Sequence, residues 1–78
     1  MGCHLYGTIT NEEQTHILID VLPNNGHAPQ VGLSGPVWFA KRQIVQHPQT
    51  DDGFDHIECS IVLASLKAEQ IKSHKLKQ

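Results

Sequence analysis

Six histidines and two cysteines in a chain of 78 residues raise metal chemistry first. Imidazole nitrogen and thiolate sulfur are the donors of zinc-class sites. Such sites usually show in a sequence as paired ligands, Cys-x2-Cys or His-x3-His, because two donors on one turn pre-orient half of a tetrahedron. No such pair is present. Cys3 and His4 are neighbours whose side chains leave an extended chain on opposite faces, and His16, His27, His47, His56 and His74 stand singly. The pattern predicts scattered surface histidines with no resident metal and no cofactor; a site assembled from distant residues is the alternative. The acidic turn Asp51-Asp52-Gly53-Phe54-Asp55 lacks the alternating oxygen ligands and the twelfth-position glutamate of a calcium loop, and reads as an Asp-Gly turn between strands.

Nucleophilic chemistry has three candidates. Cys3 and Cys59 could act with a histidine, but Cys59 lies among apolar residues of a strand, where burial raises the thiol pKa and makes it inert. Ser34 in Gly32-Leu33-Ser34-Gly35 misses the glycine frame of a nucleophile elbow by one residue and does not link a strong strand to a helix. A short chain also has few residues left to hold catalytic groups within a fraction of an ångström. The expectation is a non-enzyme with no catalytic residue.

The remaining concentration of chemistry is Pro36-Val37-Trp38-Phe39-Ala40-Lys41-Arg42-Gln43-Ile44-Val45. It holds the only tryptophan, one of two phenylalanines and the only close pair of basic residues outside the C-terminal tail. Trp38, Phe39, Lys41 and Arg42 could form a stacking platform with phosphate contacts, as in small barrels that bind single strands. They could equally form a protein-docking surface of Trp38, Lys41 and Arg42, joined by Asn25 and His27 of the 24–27 loop. A plainer arrangement buries Trp38 or Phe39 and leaves the two cations on a solvated turn.

Alternation organises most of the chain. From Cys3 to Thr10, Leu5, Gly7 and Ile9 share one side and His4, Tyr6, Thr8 and Thr10 the other, which is a half-buried strand. Residues 11–14 contain nothing apolar and read as a turn. A second strand follows over 16–22, with Ile17, Ile19 and Val21 on one face, in an antiparallel hairpin with the first. Pro23 ends it, since proline cannot donate to a ladder. Residues 23–29 read as a mobile exposed loop and 30–34 as a short extended piece. Residues 37–45 read as strand, a turn or single 3₁₀ turn near Ala40–Arg42, then strand, with Val37, Phe39 and Val45 on one face. Residues 54–64 read as a strand with Ile57, Cys59, Ile61 and Leu63 inward. Ser65 is the predicted N-cap of a helix over about 65–76, with a thin apolar stripe of Leu66, Ile71 and Leu76. These elements predict one small α+β domain spanning 1–78, with four or five antiparallel strands in a curled sheet or small open barrel and one C-terminal helix.

A chain this short buries only about 60–65% of its unfolded surface, and the 38% hydrophobic content thins the core further. A staple or a partner is therefore expected. Two cysteines allow one internal disulfide at most, and without a secretory segment both read as reduced thiols of a cytoplasmic protein. No stretch approaches the roughly 18 apolar residues of a membrane span, and Met1-Gly2-Cys3 misses the acylation pattern because Tyr6 stands where Ser or Thr belongs. Before Ser65, seven acids face only Lys41 and Arg42; from Ser65 onward, Lys67, Lys72, Lys75 and Lys77 face only Glu69. An acidic body with a basic tail suits a broad phosphate-binding face poorly.

The stretch Trp38-Phe39-Ala40-Lys41-Arg42-Gln43-Ile44 resembles a scattered group of short phage and mobile-element proteins with a Trp, apolar, Pro, Lys, Ser, Gln, Ile run. Trp38, Lys41, Gln43 and Ile44 match; Ala40 replaces the proline and Arg42 the serine. In that group a loop, a strand and a short terminal helix follow, as over 57–71 here. The resemblance implies a phage-like origin and a sheet-plus-helix layout, and no settled activity. The resulting expectation is a small binding protein that docks on a larger host protein complex, for example as an anti-CRISPR or other anti-defence inhibitor. A single-strand nucleic-acid binder and a homo-oligomeric structural subunit are the alternatives.

Overall fold

Strand β1 spans Gly2–Glu12 and is longer than its apolar pattern announces. Asn11 and Glu12 belong to it, and not to a turn, because the ladder to β2 (His16–Val21) continues past a register irregularity between Ile9 and Asn11. A bulge of this kind takes up one extra residue while preserving the pairing beyond it. The Glu13 N–H then donates to the His16 carbonyl and closes the hairpin. The structure is a computed structural model and describes residues 2–76. It confirms the α+β class: β3 (Gly35–Ala40), β4 (Val45–His47) and β5 (Asp55–Ser60) complete a five-stranded antiparallel sheet in the order β3-β2-β1-β5-β4, followed by a long helix.

Connectivity forces this sheet to curl. Five strands laid flat would hold their outer members about 19 Å apart. The outer members β3 and β4 are joined only by residues 41–44, and five Cα steps reach at most about 18 Å. The stagger of β1 supplies the curl, since it pairs with β2 through residues 7–12 and with β5 through residues 2–7. The connection between β3 and β4 is the single 3₁₀ turn Lys41–Gln43, at the place the sequence predicts.

The concave face holds the core. Cys3, Leu5, Ile17, Ile19, Val21, Val37, Phe39, Ile57 and Cys59 are buried there, in the parity read from each strand. Each large side chain among them contributes on the order of 1.5–3 kcal/mol on burial. Val45 departs from the expected face. After the 3₁₀ turn it pairs with Glu58 on the convex side and is 56% exposed.

Two corrections concern helices. Residues 28–31 form a helical turn, α1 (Ala28–Val31), where an extended piece was expected nearby. Pro29 presets the helical φ at its start, and Gly32 ends it in the left-handed conformation at φ 72°, which costs glycine nothing. Residues 22–27 are correspondingly pinned and do not form a free excursion. Leu22 N–H donates to the Tyr6 carbonyl and His27 N–H to the His4 carbonyl, along the half of β1 that β2 leaves unpaired. Gly26 fits there because an added Cβ would meet the His4 carbonyl and the Tyr6 ring.

The second helix, α2 (Ile61–Leu76), begins four residues before the predicted Ser65 cap. Ser60 is the cap: its Oγ accepts the Leu63 N–H at 3.1 Å. The chain therefore changes period at Ser60, and Ile61 and Leu63 leave the strand. Ala64 and Ala68 are the buried positions of α2, with Leu63, Lys67 and Ile71 half-buried beside them. Leu66, assigned to the apolar stripe, is instead 55% exposed, and the Leu76 side chain lies outside the described residues. Small alanines let the helix lie close on the sheet. No helix among the described residues is long and apolar enough to cross a membrane.

Replacing Ser60 with alanine removes the cap and lowers the unfolding free energy by about 1 kcal/mol, whereas Leu66→Ala changes it by less than about 0.5 kcal/mol. Urea unfolding of the two variants measures both; the opposite ranking would restore the later helix start.

Candidate functional site

The outer edge of β3 borders an open groove. The Lys41 N–H donates to the Thr15 carbonyl at 2.9 Å, and in an antiparallel ladder that bond fixes the alternation upstream. The directly opposed pairs Ala40 with His16, Trp38 with Leu18, and Pro36 with Asp20 are therefore the non-hydrogen-bonded ones. Pro36 thus interrupts nothing, and the backbone groups of Trp38 and Ala40 point away from β2. Between this edge and α2 runs a groove of about 460 Å³, formed chiefly by Pro36, Val37 and Trp38 on one wall and Lys67, Ile71 and His74 on the other. Trp38 is 38% exposed, and the Lys67 ammonium sits 5.7 Å from the centre of the Phe39 ring.

The residues expected to dock a partner are divided by the fold. Trp38 lines the groove. Lys41 is engaged by Glu12, with Nζ 2.7 Å from Oε2, so its charge is compensated on the spot. Arg42 is exposed on the 3₁₀ turn at the end of β3. Asn25 and His27 are elsewhere, beside His4 on the first half of β1. Trp38 faces Leu18, which pairs with Asn11. Seven residues of extended strand, about 23 Å, separate Asn11 from His4, so the 24–27 loop does not join Trp38. The sequence reading missed Lys67, Ile71 and His74, although their i, i+4, i+7 spacing on α2 marks one helix face.

A second constellation occupies the convex face. Antiparallel register puts His4 opposite Glu58, Tyr6 opposite His56, and on the other flank His47 opposite His56 and Val45 opposite Glu58. The imidazole of His56 lies between Tyr6 and His47, stacked on each at centroid distances of 4.4 and 4.3 Å. His4 Nδ1 and His56 Nε2 are hydrogen-bonded at 2.8 Å, and His47 Nε2 is 2.9 Å from Glu58 Oε1. The reading of these histidines as scattered is corrected: three of them are strand residues brought side by side. Desolvation, followed by the fields of His47 and His4, holds the His56 pKa below the ordinary imidazole value. The hydrogen bond from His47 holds the Glu58 carboxyl below its ordinary value. His27 belongs to this neighbourhood, because its Nδ1 accepts the His4 N–H at 2.9 Å.

Cys3 and Cys59 are free, buried and directly opposite each other across the β1–β5 ladder. Burial is the main cause that pushes both thiols up, Cys59 to about 11, with Cys3 beside it adding to the effect. A thiol in this state is a poor nucleophile. Alkylation by iodoacetamide at pH 8 is accordingly expected to be at least tenfold slower for the folded chain than for the chain in denaturant; equal rates would mean that the pair is accessible.

No family model, no curated protein and no solved structure matches the chain.

Proposed function

We propose that the chain acts as a small docking protein of phage or mobile-element type, without catalysis of its own. It engages an extended segment of a larger host protein complex in the groove between β3 and α2 and thereby modulates or inhibits that complex. An anti-defence inhibitor of the anti-CRISPR kind would work this way. The observation that supports this reading is the open β3 edge, bordering a groove with Val37 and Trp38 on one wall and α2 on the other. An extended peptide laid there adds a sixth strand: main-chain hydrogen bonds give affinity, and alternate side chains enter the groove. Lys67 on the helix wall favours a segment that carries a carboxylate beside its apolar residues.

The alternative, a single-strand nucleic-acid binder, has less support. Of the two cations beside Trp38, Lys41 is paired with Glu12, which leaves Arg42 as the contribution of that turn to a phosphate backbone.

The test compares the tagged full chain with its variants in capture from the native host. Trp38→Ala and Lys67→Glu are each expected to reduce recovery of the same protein partner at least tenfold, with Glu13→Ala unchanged. In the complex, amide exchange at Trp38 and Ala40 should slow. Undiminished capture by both groove variants would overturn the docking site. Salt-sensitive binding of an oligonucleotide with quenching of Trp38 fluorescence, and no protein partner, would establish the alternative.

A further inference from the structure

The groove is not the most chemically specific feature of the fold; the histidine cluster on the convex face is. One donor atom from each of His4, His47 and His56 lies within 4.8 Å of the others. A four-coordinate zinc-class ion with metal–nitrogen bonds of about 2.0–2.1 Å separates its ligands by about 3.4 Å. Modest rotation of the side chains closes that difference, because all three rings are half-exposed and none is locked in the core. Glu58 reaches the same point from between them. Its Oε1 is 2.9 Å from His47 Nε2 and its Oε2 is 3.9 Å from His4 Nε2.

We propose that His4, His47 and His56, with Glu58 as the fourth ligand or as the acceptor that orients His47, form a binding site for a divalent transition-metal ion of the zinc class. Three imidazoles and one carboxylate suit Zn²⁺, Co²⁺, Ni²⁺ or Cu²⁺ and not the all-oxygen preferences of Mg²⁺ or Ca²⁺. The close approach of His4 Nδ1 and His56 Nε2, which one proton bridges in the metal-free arrangement, is the approach that an ion sharing both lone pairs would use. The support around the ligands is also present. His27 holds both backbone groups of His4 from one side, accepting its N–H and donating to its carbonyl. Tyr6 packs against the His56 ring. Outer partners of this type orient first ligands and raise their affinity.

The ion would also supply a missing staple. β4 is three residues long and pairs only with β5, and His47 is its last residue before Pro48. Coordination would tie β4 and the loop beyond it to β5 and β1 in one step, and binding free energy at such a site becomes folding free energy.

Isothermal titration of the tag-free full chain with ZnCl₂ tests the site. One equivalent per chain is expected, with a dissociation constant on the order of 1 μM or tighter. The melting midpoint should rise by about 15 °C at a hundredfold excess of free metal over that constant. His47→Gln and His56→Gln should each weaken binding by at least about 100-fold, while His16→Gln, whose ring is bonded to Thr15, leaves it unchanged. Far-ultraviolet circular dichroism of each variant verifies that the fold persists; His47 is the safer probe because it lies on an edge strand. With Co²⁺, visible d–d bands without an intense thiolate-to-metal band are expected. Failure to take up one equivalent of any of zinc, cobalt, nickel or copper would overturn the proposal. So would uptake that survives both His variants, or a thiolate band that places the ion on Cys3 and Cys59.

Discussion

The divided pairing of β1 is the constraint on which the remaining structure rests. Its residues 7–12 belong to β2 and its residues 2–7 to β5, with Gly7 common to both ladders. Each ladder therefore starts where the other stops, and the sheet shears along its strands as it is crossed. This shear lets a four-residue link join the two outer strands and curls the sheet around a single layer of apolar side chains. Gly7 is the right residue for the crossover, since a Cβ there would run into the Asp20 backbone. The half of β1 that β2 leaves unpaired is in turn covered on that side by residues 22–27, whose hydrogen bonds to Tyr6 and His4 substitute for the missing ladder.

The core that results is narrow, and its chemistry is set by what α2 presents to it. The helix covers the sheet with Ala64 and Ala68 and keeps Ile61, Val62 and Leu66 outside. A close but small contact of this kind leaves the fold dependent on its ladders and on side-chain ties such as Ile9 N–H to Asp55 Oδ2 at 2.8 Å and Phe54 N–H to Thr50 Oγ1 at 3.0 Å. The helix also leaves the β3 edge uncovered. An open edge is a liability in a sheet unless something blunts or uses it. Pro36 blunts its start, and Trp38 stands in the remaining stretch.

Apart from Val45, strand identity and facing were legible within the sheet because period two is a local property. Leu5, Ile17, Ile19, Val21, Phe39, Ile57 and Cys59 are all buried as the alternation requires, and the 3₁₀ turn after Ala40 followed from the conflict of periods across it. Two kinds of feature were not legible. One is the competition between elements over the same residues: 57–64 alternate well enough for a strand, and the helix that takes the last four of them is capped by the Ser60 hydroxyl meeting the Leu63 N–H. The other is register. His4, His47 and His56 are 43 and 9 residues apart in the chain, and nothing in their own surroundings says that they meet. The offset between β1, β5 and β4 brings them together, so a search for paired ligands along the sequence passes over them.

The groove and the histidine cluster lie on different strands, yet the fold does not make them independent. Trp38 is on β3 and His47 on β4, and between these strands stands only the 3₁₀ turn with its flanking Ile44, which is itself half-buried against the core. Lys41, at the start of that turn, is tied to Glu12 at the far end of β1 by its side chain and to Thr15 by its N–H. The turn is therefore held at its β3 end by β1 and β2, while its β4 end is held by three residue pairs to β5 alone. An ion at His47 would anchor the weaker end and leave the outer edge of β3 open. Fixing one margin of a curled sheet fixes the angle at which the other margin is presented, because residues 41–44 are too few to absorb the difference.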